Sequence, residues 1–346
     1  MAPKILMGDM PELMEYIVKN LINEIYSLYT CTLVSRHWCK ISIPILWQDP
    51  FSFIRRSPLF ISNYFSSLGE YERIILKECG INEEFSKTLF DYAKFLKVLD
   101  LISLESIVEK WIDLKLVSDE RFINHIINFL LKTKRAIFSR IQHLSLDIIS
   151  IFDIESVTTL LRDLTENTTK IRTLNLFFHS DPESQICHAL IYFIKIQERL
   201  KLFRIAGGHT EFHCIISVLE CQKNSLQEVV IQDCSFSAEF NVLNNCKNLE
   251  TIRITCCNTE LLKILDYKIS TLEVFDTPID AQTMALILKK SRYIEFSTQL
   301  LELIGKLHKL QFLSLWCDID NIPVEELKIR VMQFSKILAL TLQYLK

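Results

Sequence analysis

The residues best equipped for chemistry gather at His209, His213, Cys214 and Cys221, all of types that ligate zinc. On a helix His209 and His213 would share a face. Glu211, however, lies between them instead of next to the first histidine, where the metalloprotease motif needs it. Gly207-Gly208 puts His209 at a loop leaving a strand, so a loop-edge histidine with buried cysteine neighbours is favoured and no metal is expected. Cys256-Cys257 could form a redox pair, but one strand-end cysteine facing the core is the simpler account. Asp318 and Asp320 resemble half of a calcium loop and read better as a solvated turn. With six glycines, the chain has no Gly-x-Gly-x-x-Gly, no Walker loop and no Gly-x-Ser-x-Gly elbow. No nucleophile, base and orienter come together. The expectation is a non-catalytic protein without a cofactor.

Bulk properties narrow the class. Of 346 residues, 49% are apolar and 23% charged, so a large core is available and disorder is not expected. A net charge of −3 provides no electrostatic footprint for nucleic acid, and the basic cluster Lys132, Lys134, Arg135 and Arg140 reads as a solvated helix end. No run of 18 apolar residues occurs, so no membrane helix is expected, and Met1-Ala2-Pro3-Lys4 lacks a signal-peptide layout. Eleven cysteines, an odd number with no Cys-x-x-Cys, fit buried free thiols in a reducing compartment. A cytoplasmic or nuclear protein is the expectation.

The elements that must carry any function fall into two kinds. In the first fifty residues Pro11 suits the first position of a helix that Asp9 or a neighbour can cap. Leu13, Ile17 and Leu21, with Val18 beside them, predict one apolar helical face. Ser27 is a candidate cap for a second helix carrying Leu28, Cys31, Val34 and Trp38. About three short helices result, too few to hold a core of their own, so the segment needs a neighbour to cover it.

Met10-Pro11, Leu13, Ile17-Val18, Leu21, Leu28, Val34-Ser35-Arg36-His37-Trp38 and Leu46-Trp47 closely resemble an F-box. Met10 stands where that family usually has Leu, and Glu12 follows Pro11 one residue early. The resemblance implies a three-helix module over residues 1–50 that docks on the Skp adaptor of cullin–RING ubiquitin ligases. It assigns Pro11, Leu13, Ile17, Leu21, Leu28, Val34, Ser35, Trp38, Leu46 and Trp47 to the adaptor interface or its supporting core, with Ser35 either a cap or a contact.

After a connecting segment at 51–70, one pattern recurs: an apolar residue, two others, an apolar, one other, an apolar. It reads Leu96-Leu99-Leu101, Ile141-Leu144-Leu146, Ile171-Leu174-Leu176, Leu200-Phe203-Ile205, Leu226-Val229-Ile231 and Leu249-Ile252-Ile254. Ile269-Leu272-Val274, Leu310-Leu313-Leu315 and Ile337-Leu340-Leu342 continue it, with weaker copies at Tyr71-Ile74-Leu76 and Ile294-Phe296. Steps run from 19 to 30 residues, apart from one of 45 that predicts a helical insert near 104–138. Each unit ends like a short strand, and the spacers, Leu160-Leu161-Leu164 among them, read helical.

Over residues 71–346 this resembles an irregular leucine-rich repeat, with Cys234, Cys257 and Cys317 where that family often has Asn or Cys. The fold class expected is therefore α/β: a short all-helical module, then a horseshoe with a concave parallel sheet. Its concave face would carry Phe177, Arg204, Arg253, Phe275, Phe312 and Trp316 toward a target protein. Together the two resemblances imply a substrate-recognition subunit of a Skp–cullin–F-box ubiquitin ligase. The alternative is a leucine-rich-repeat interaction scaffold with no role in ubiquitination.

Overall fold

Short helices open the chain because capping and proline chemistry favour them there. In the computed structural model, which describes residues 11–51, 60–65, 70–78, 81, 88–114, 138–148, 154–179, 182–207, 212–235, 237–257, 270–275, 312–315 and 344–345, α1 spans Pro11–Asn20, α2 Ile25–Val34 and α3 Arg36–Leu46. Ser35 adopts an extended conformation between the last two, and its hydroxyl accepts the Trp38 N–H at 3.3 Å. That cap breaks the chain into two helices at the residue where one apolar stripe had been expected to continue. Ser27 is not a cap. It lies in the first turn of α2, and its hydroxyl donates to the Glu24 carboxylate at 3.0 Å.

The chain divides into two compact units, Met1–Leu146 with Glu166–Lys170, and Asp147–Thr165 with Ile171–Lys346. In the first, the helical module runs straight into β-structure. The Gln48 carbonyl accepts both the Lys97 and Val98 N–H groups, at 2.9 and 3.0 Å, where β1 (Val98–Asp100) begins. The Lys97 carbonyl in turn accepts Gln142 and His143, at 2.8 and 3.1 Å, at the start of β2 (His143–Ile148), which pairs parallel to β1. Gln48 thus takes the place of a preceding strand and occupies donors that a bare edge would leave open. Trp47 seals the joint, its ring 4.0 Å from that of Tyr92 and edge-on to Phe60.

Further helices complete this unit: α4 (Ile61–Phe65), α5 (Glu70–Glu78) and α6 (Leu101–Leu114). Tyr71-Ile74-Leu76, expected as a weak strand copy, lies in α5. Its segment has no Gly, Pro or Asn to stop a helix, and Leu76 is buried while Ile74 is exposed. In α6, Leu104, Ile107, Val108 and Trp111 form a buried stripe at helical spacing, and the Trp111 indole donates to the Ser62 hydroxyl at 3.3 Å. The expected insert near 104–138 is helical as far as Leu114; residues 115–137 lie outside the described residues.

The second unit is a parallel ladder in chain order. Its strands are β3 (Thr173–Phe178), β4 (Leu202–Ala206), β5 (Glu228–Gln232), β6 (Thr251–Thr255), β7 (Thr271–Phe275), β8 (Phe312–Leu315) and β9 (Tyr344–Leu345). Register aligns the anchors: Leu174, Phe203, Val229, Ile252, Leu272 and Leu313 face one another in succession, as do Leu176, Ile205, Ile231, Ile254, Val274 and Leu315. From Leu174 to Ile252 and from Leu176 to Ile254 these side chains are fully buried. A one-residue slip would turn every anchor to the opposite face, so the apolar pattern itself sets the register. The architecture is mixed α/β with a parallel sheet. The units Ile294-Phe296 and Ile337-Leu340-Leu342 fall outside the described residues.

The spacers shorten along the ladder. α7 (Ile154–Asn167) and α8 (Ser184–Ile196) are α-helices, whereas α9 (His213–Ser217) passes into a 3₁₀ turn, Val218–Gln222, and Ala238–Asn245 is wholly 3₁₀. A 3₁₀ segment rises about 2.0 Å per residue against about 1.5 Å, so fewer residues span a similar distance. Buried Gln197 and Gln222 satisfy the helix-end carbonyls. The Gln222 amide donates to Ile194 and Gln197 oxygens at 2.9 and 2.7 Å, and Gln197 accepts the Ile171 N–H at 3.1 Å. Among the described residues, no helix is long and apolar enough to cross a membrane.

Candidate protein-interaction surfaces

Two surfaces carry the residues singled out in the sequence, one in each unit. In the helical module, Pro11 opens α1. Met14 and Val18 turn inward and are fully buried; Leu13 and Ile17, one residue round the helix, are 36% and 39% exposed. Both stripes are apolar, so spacing alone could not tell the inner from the outer. Leu21 is half-buried in the turn after α1. On α2, Leu28 faces the core, while Val34, expected on the same side, is exposed. Trp38, Leu46 and Trp47 are buried, so they support the module and do not meet solvent.

The sequence reading missed Tyr16, Tyr26, Tyr29 and Leu33. Tyr26 is 82% and Leu33 70% exposed. Positions 26, 29 and 33 lie on one side of α2, as Leu13, Tyr16 and Ile17 do on α1. Their signal was present as a second apolar set at helical spacing on helices that already had an inner one. Each of these residues exposes apolar area that water disfavours by about 25 cal/mol per Å².

On the ladder, the residues between the anchors form the other surface. Asn175, Arg204, Val230, Arg253, Glu273 and Ser314 stand in register across six strands. Arg253 bridges two carboxylates, meeting Glu228 through Nη1 and Glu273 through Nε at 2.6 Å. Arg204 lies over the Phe177 ring, 5.3 Å from its centroid, and donates from Nη2 to Gln232 at 2.8 Å. Its Nε is out of solvent and has no hydrogen-bond acceptor among the described residues. Phe177 and Arg204 therefore meet across adjacent strands, and Arg253 stands two strands beyond Arg204, with Val230 of β5 between them in register. Phe275 ends β7 and Phe312 begins β8, and Trp316 lies outside the described residues. Asp147 of β2 is buried and 3.1 Å from the His179 imidazole.

The sites weighed for chemistry resolve differently. His213 Nδ1 is 2.8 Å from the Glu239 carboxylate, and His209 lies outside the described residues. Cys214 and Cys221, expected to be buried, are exposed. Helix α9 is a single short turn, and both thiols fall on its outer side and that of the 3₁₀ turn after it. Among the described residues no three His, Cys, Asp or Glu side chains are placed to hold a metal ion. Cys257 is buried beside a half-buried Cys256, and the nine described cysteines are free thiols.

The strand-end cysteines instead link successive rungs. Cys257 Sγ lies 3.2 Å from the Thr255 oxygen and 3.6 Å from that of Ile231, and receives the Cys234 N–H at 3.4 Å. Burial pushes the Cys234 thiol up to about 12, with the neighbouring Cys257 adding to it, and that of Cys257 to about 11. Such thiols are inert at neutral pH. One position earlier, Gly207, Asp233 and Cys256 all take positive φ, 89°, 53° and 52°, so the chain leaves three successive strands by the same left-handed step. No protein-family model matches the chain, and no curated protein matches it.

Proposed function

We propose that the chain is an F-box and leucine-rich-repeat protein, the substrate-recognition subunit of a Skp–cullin–F-box ubiquitin ligase, acting in the cytoplasm or nucleus without catalysis of its own. One observation carries this reading. The F-box-like module buries Met14, Val18, Leu28 and Trp38 and still leaves Leu13, Tyr16, Ile17, Tyr26, Tyr29, Leu33 and Val34 exposed. An apolar display of this kind marks a surface that a partner covers. The Skp adaptor is the partner that the motif resemblance implies.

The parallel ladder supports the second half of the reading. In a leucine-rich-repeat horseshoe the face bearing Phe177, Arg204 and Arg253 is the concave one, and a target protein docks there. Arg204 offers that target a guanidinium already oriented by Phe177 and Gln232. The rate gain is one of effective concentration: a target lysine is held near a conjugating enzyme carried elsewhere in the complex.

The test is co-precipitation of the full chain with a Skp adaptor and a cullin–RING pair. The wild type is expected to retain both, and Leu13→Asp with Val34→Asp to lose both while keeping its thermal transition. A wild-type chain that ignores the adaptor overturns the reading. Adaptor binding without cullin recruitment leaves an interaction scaffold.

A further inference from the structure

At the joint between the helical module and β1, four cations line one cavity of about 350 Å³: Lys94, Lys97, Arg140 and Lys170. Among the described residues, no carboxylate lines it. Asp91 reaches Lys94 from outside, at 3.2 Å, and among the described residues Lys97, Arg140 and Lys170 have no ion pair. The chain as a whole carries −3, so this concentration of positive charge is local.

The main chain at Lys97 and the side chain of Arg140 are held in place. Lys97 is held through its N–H by the Gln48 carbonyl and through its own carbonyl by the Gln142 and His143 N–H groups. Arg140 donates from Nη1 to the Lys94 carbonyl at 2.8 Å, which orients its planar fork and leaves other donors for a ligand. Gln48, Gln142 and Ser139 add neutral polar groups, and Pro44 and Phe95 supply an apolar wall. Like charges brought together on a rigid frame repel one another until an anion sits among them.

We propose that this cavity binds a compact small molecule bearing two or more phosphates. A volume of about 350 Å³ is at the lower end of the range for small-ligand sites, roughly 300–1,000 Å³. One phosphate would engage only some of the four cations, whereas a linked set satisfies them together through charge-assisted hydrogen bonds. Recognition runs through side chains, which is why the chain needs no glycine-rich phosphate loop. The site stands independently of adaptor docking.

Calorimetric titration of the full chain with tripolyphosphate, orthophosphate and a nucleoside triphosphate tests it. Expected are one saturable site for tripolyphosphate, at least about tenfold tighter than for orthophosphate, and affinity that falls as salt rises. Lys97→Gln with Lys170→Gln should weaken binding about tenfold or more with the thermal transition unchanged, and Arg140→Lys should weaken it less. Lys195→Gln with Lys247→Gln, two exposed lysines remote in sequence, should leave it intact. A nucleoside triphosphate binding more tightly than tripolyphosphate would add a base contact to the site, and equal binding would assign recognition to phosphate alone. Unsaturable heats, equal affinity for orthophosphate, or an equal loss in the control pair would overturn the proposal. Leu13→Asp with Val34→Asp should bind tripolyphosphate normally, which separates this failure from that of the adaptor reading.

Discussion

The helical module and the parallel ladder handle the same kind of residue in opposite ways. In the ladder, anchors such as Leu174, Phe203 and Ile252 are fully buried, because each strand covers the apolar side of the one before it. In the module, Tyr26 and Leu33 stay in water although Leu28 on the same helix is buried. A repeating stack completes its own core by adding neighbours. Three short helices have two apolar faces and only one interior to put them in. On the ladder, half-buried Arg253 is matched in place between Glu228 and Glu273.

Substitutions at matching depths test this contrast, beginning with the largest effect. Phe203→Ala, deep in the ladder, should destabilise the protein by about 3–5 kcal/mol in denaturant titration. An effect below about 1 kcal/mol would mean that neighbouring rungs collapse into the space. Gly207→Ala should cost more than about 1 kcal/mol, since its new methyl would run into the Phe178 carbonyl at a φ of 89°. Asp233→Gly, at the equivalent step of the next strand, should be within about 1 kcal/mol of the wild type.

Alkaline titration addresses the ladder's thiols. Cys234 and Cys257 titrate higher when folded, at about 12 and 11, than the ordinary thiol at 9.0. The folded state therefore keeps protons that the unfolded chain releases. Stability from this source is whole below pH 9 and declines as pH climbs toward 11–12, by up to about 1.4 kcal/mol per pH unit for each thiol. Cys234→Ala should flatten that slope in melts taken across this interval. Exposed Cys214 and Cys221 should react with a thiol reagent in the native state, and Cys234, Cys246 and Cys257 only on unfolding.

The smallest effects belong to the module. Ser35→Ala removes the cap of α3 and should lower the melting free energy by about 1 kcal/mol. Tyr26→Ser and Leu33→Ser should each change stability by less than about 0.5 kcal/mol while weakening any partner bound there. A large destabilisation at Tyr26 would show that the protein covers this face itself.

Much of the ladder was legible because its signal is redundant. One anchor triplet says little, yet six of them from Leu96 to Ile254 each mark a strand and have buried anchors, with Leu101 already the first residue of α6. Tyr71-Ile74-Leu76 matched the same pattern and folded as a helix, since a period of two and a period of 3.6 share positions over so few residues. Of the residues expected on the ladder face, Phe177 and Arg204 meet across adjacent strands, and Arg253 stands in register two strands from Arg204. Trp38, Leu46 and Trp47 went to the interior, a choice that residue type leaves open.

By itself the amino-acid order determined the starts of α1 and α3 and the strand register, because proline, the Ser35 hydroxyl and the alternation of apolar residues act within a few positions of themselves. Only the tertiary structure decided which of two apolar stripes on α1 faces inward. It also decided that the Gln48 carbonyl serves as an edge for β1, and that Lys94, Lys97, Arg140 and Lys170 share one cavity. Those outcomes depend on packing between segments far apart in the chain, where no local preference reaches.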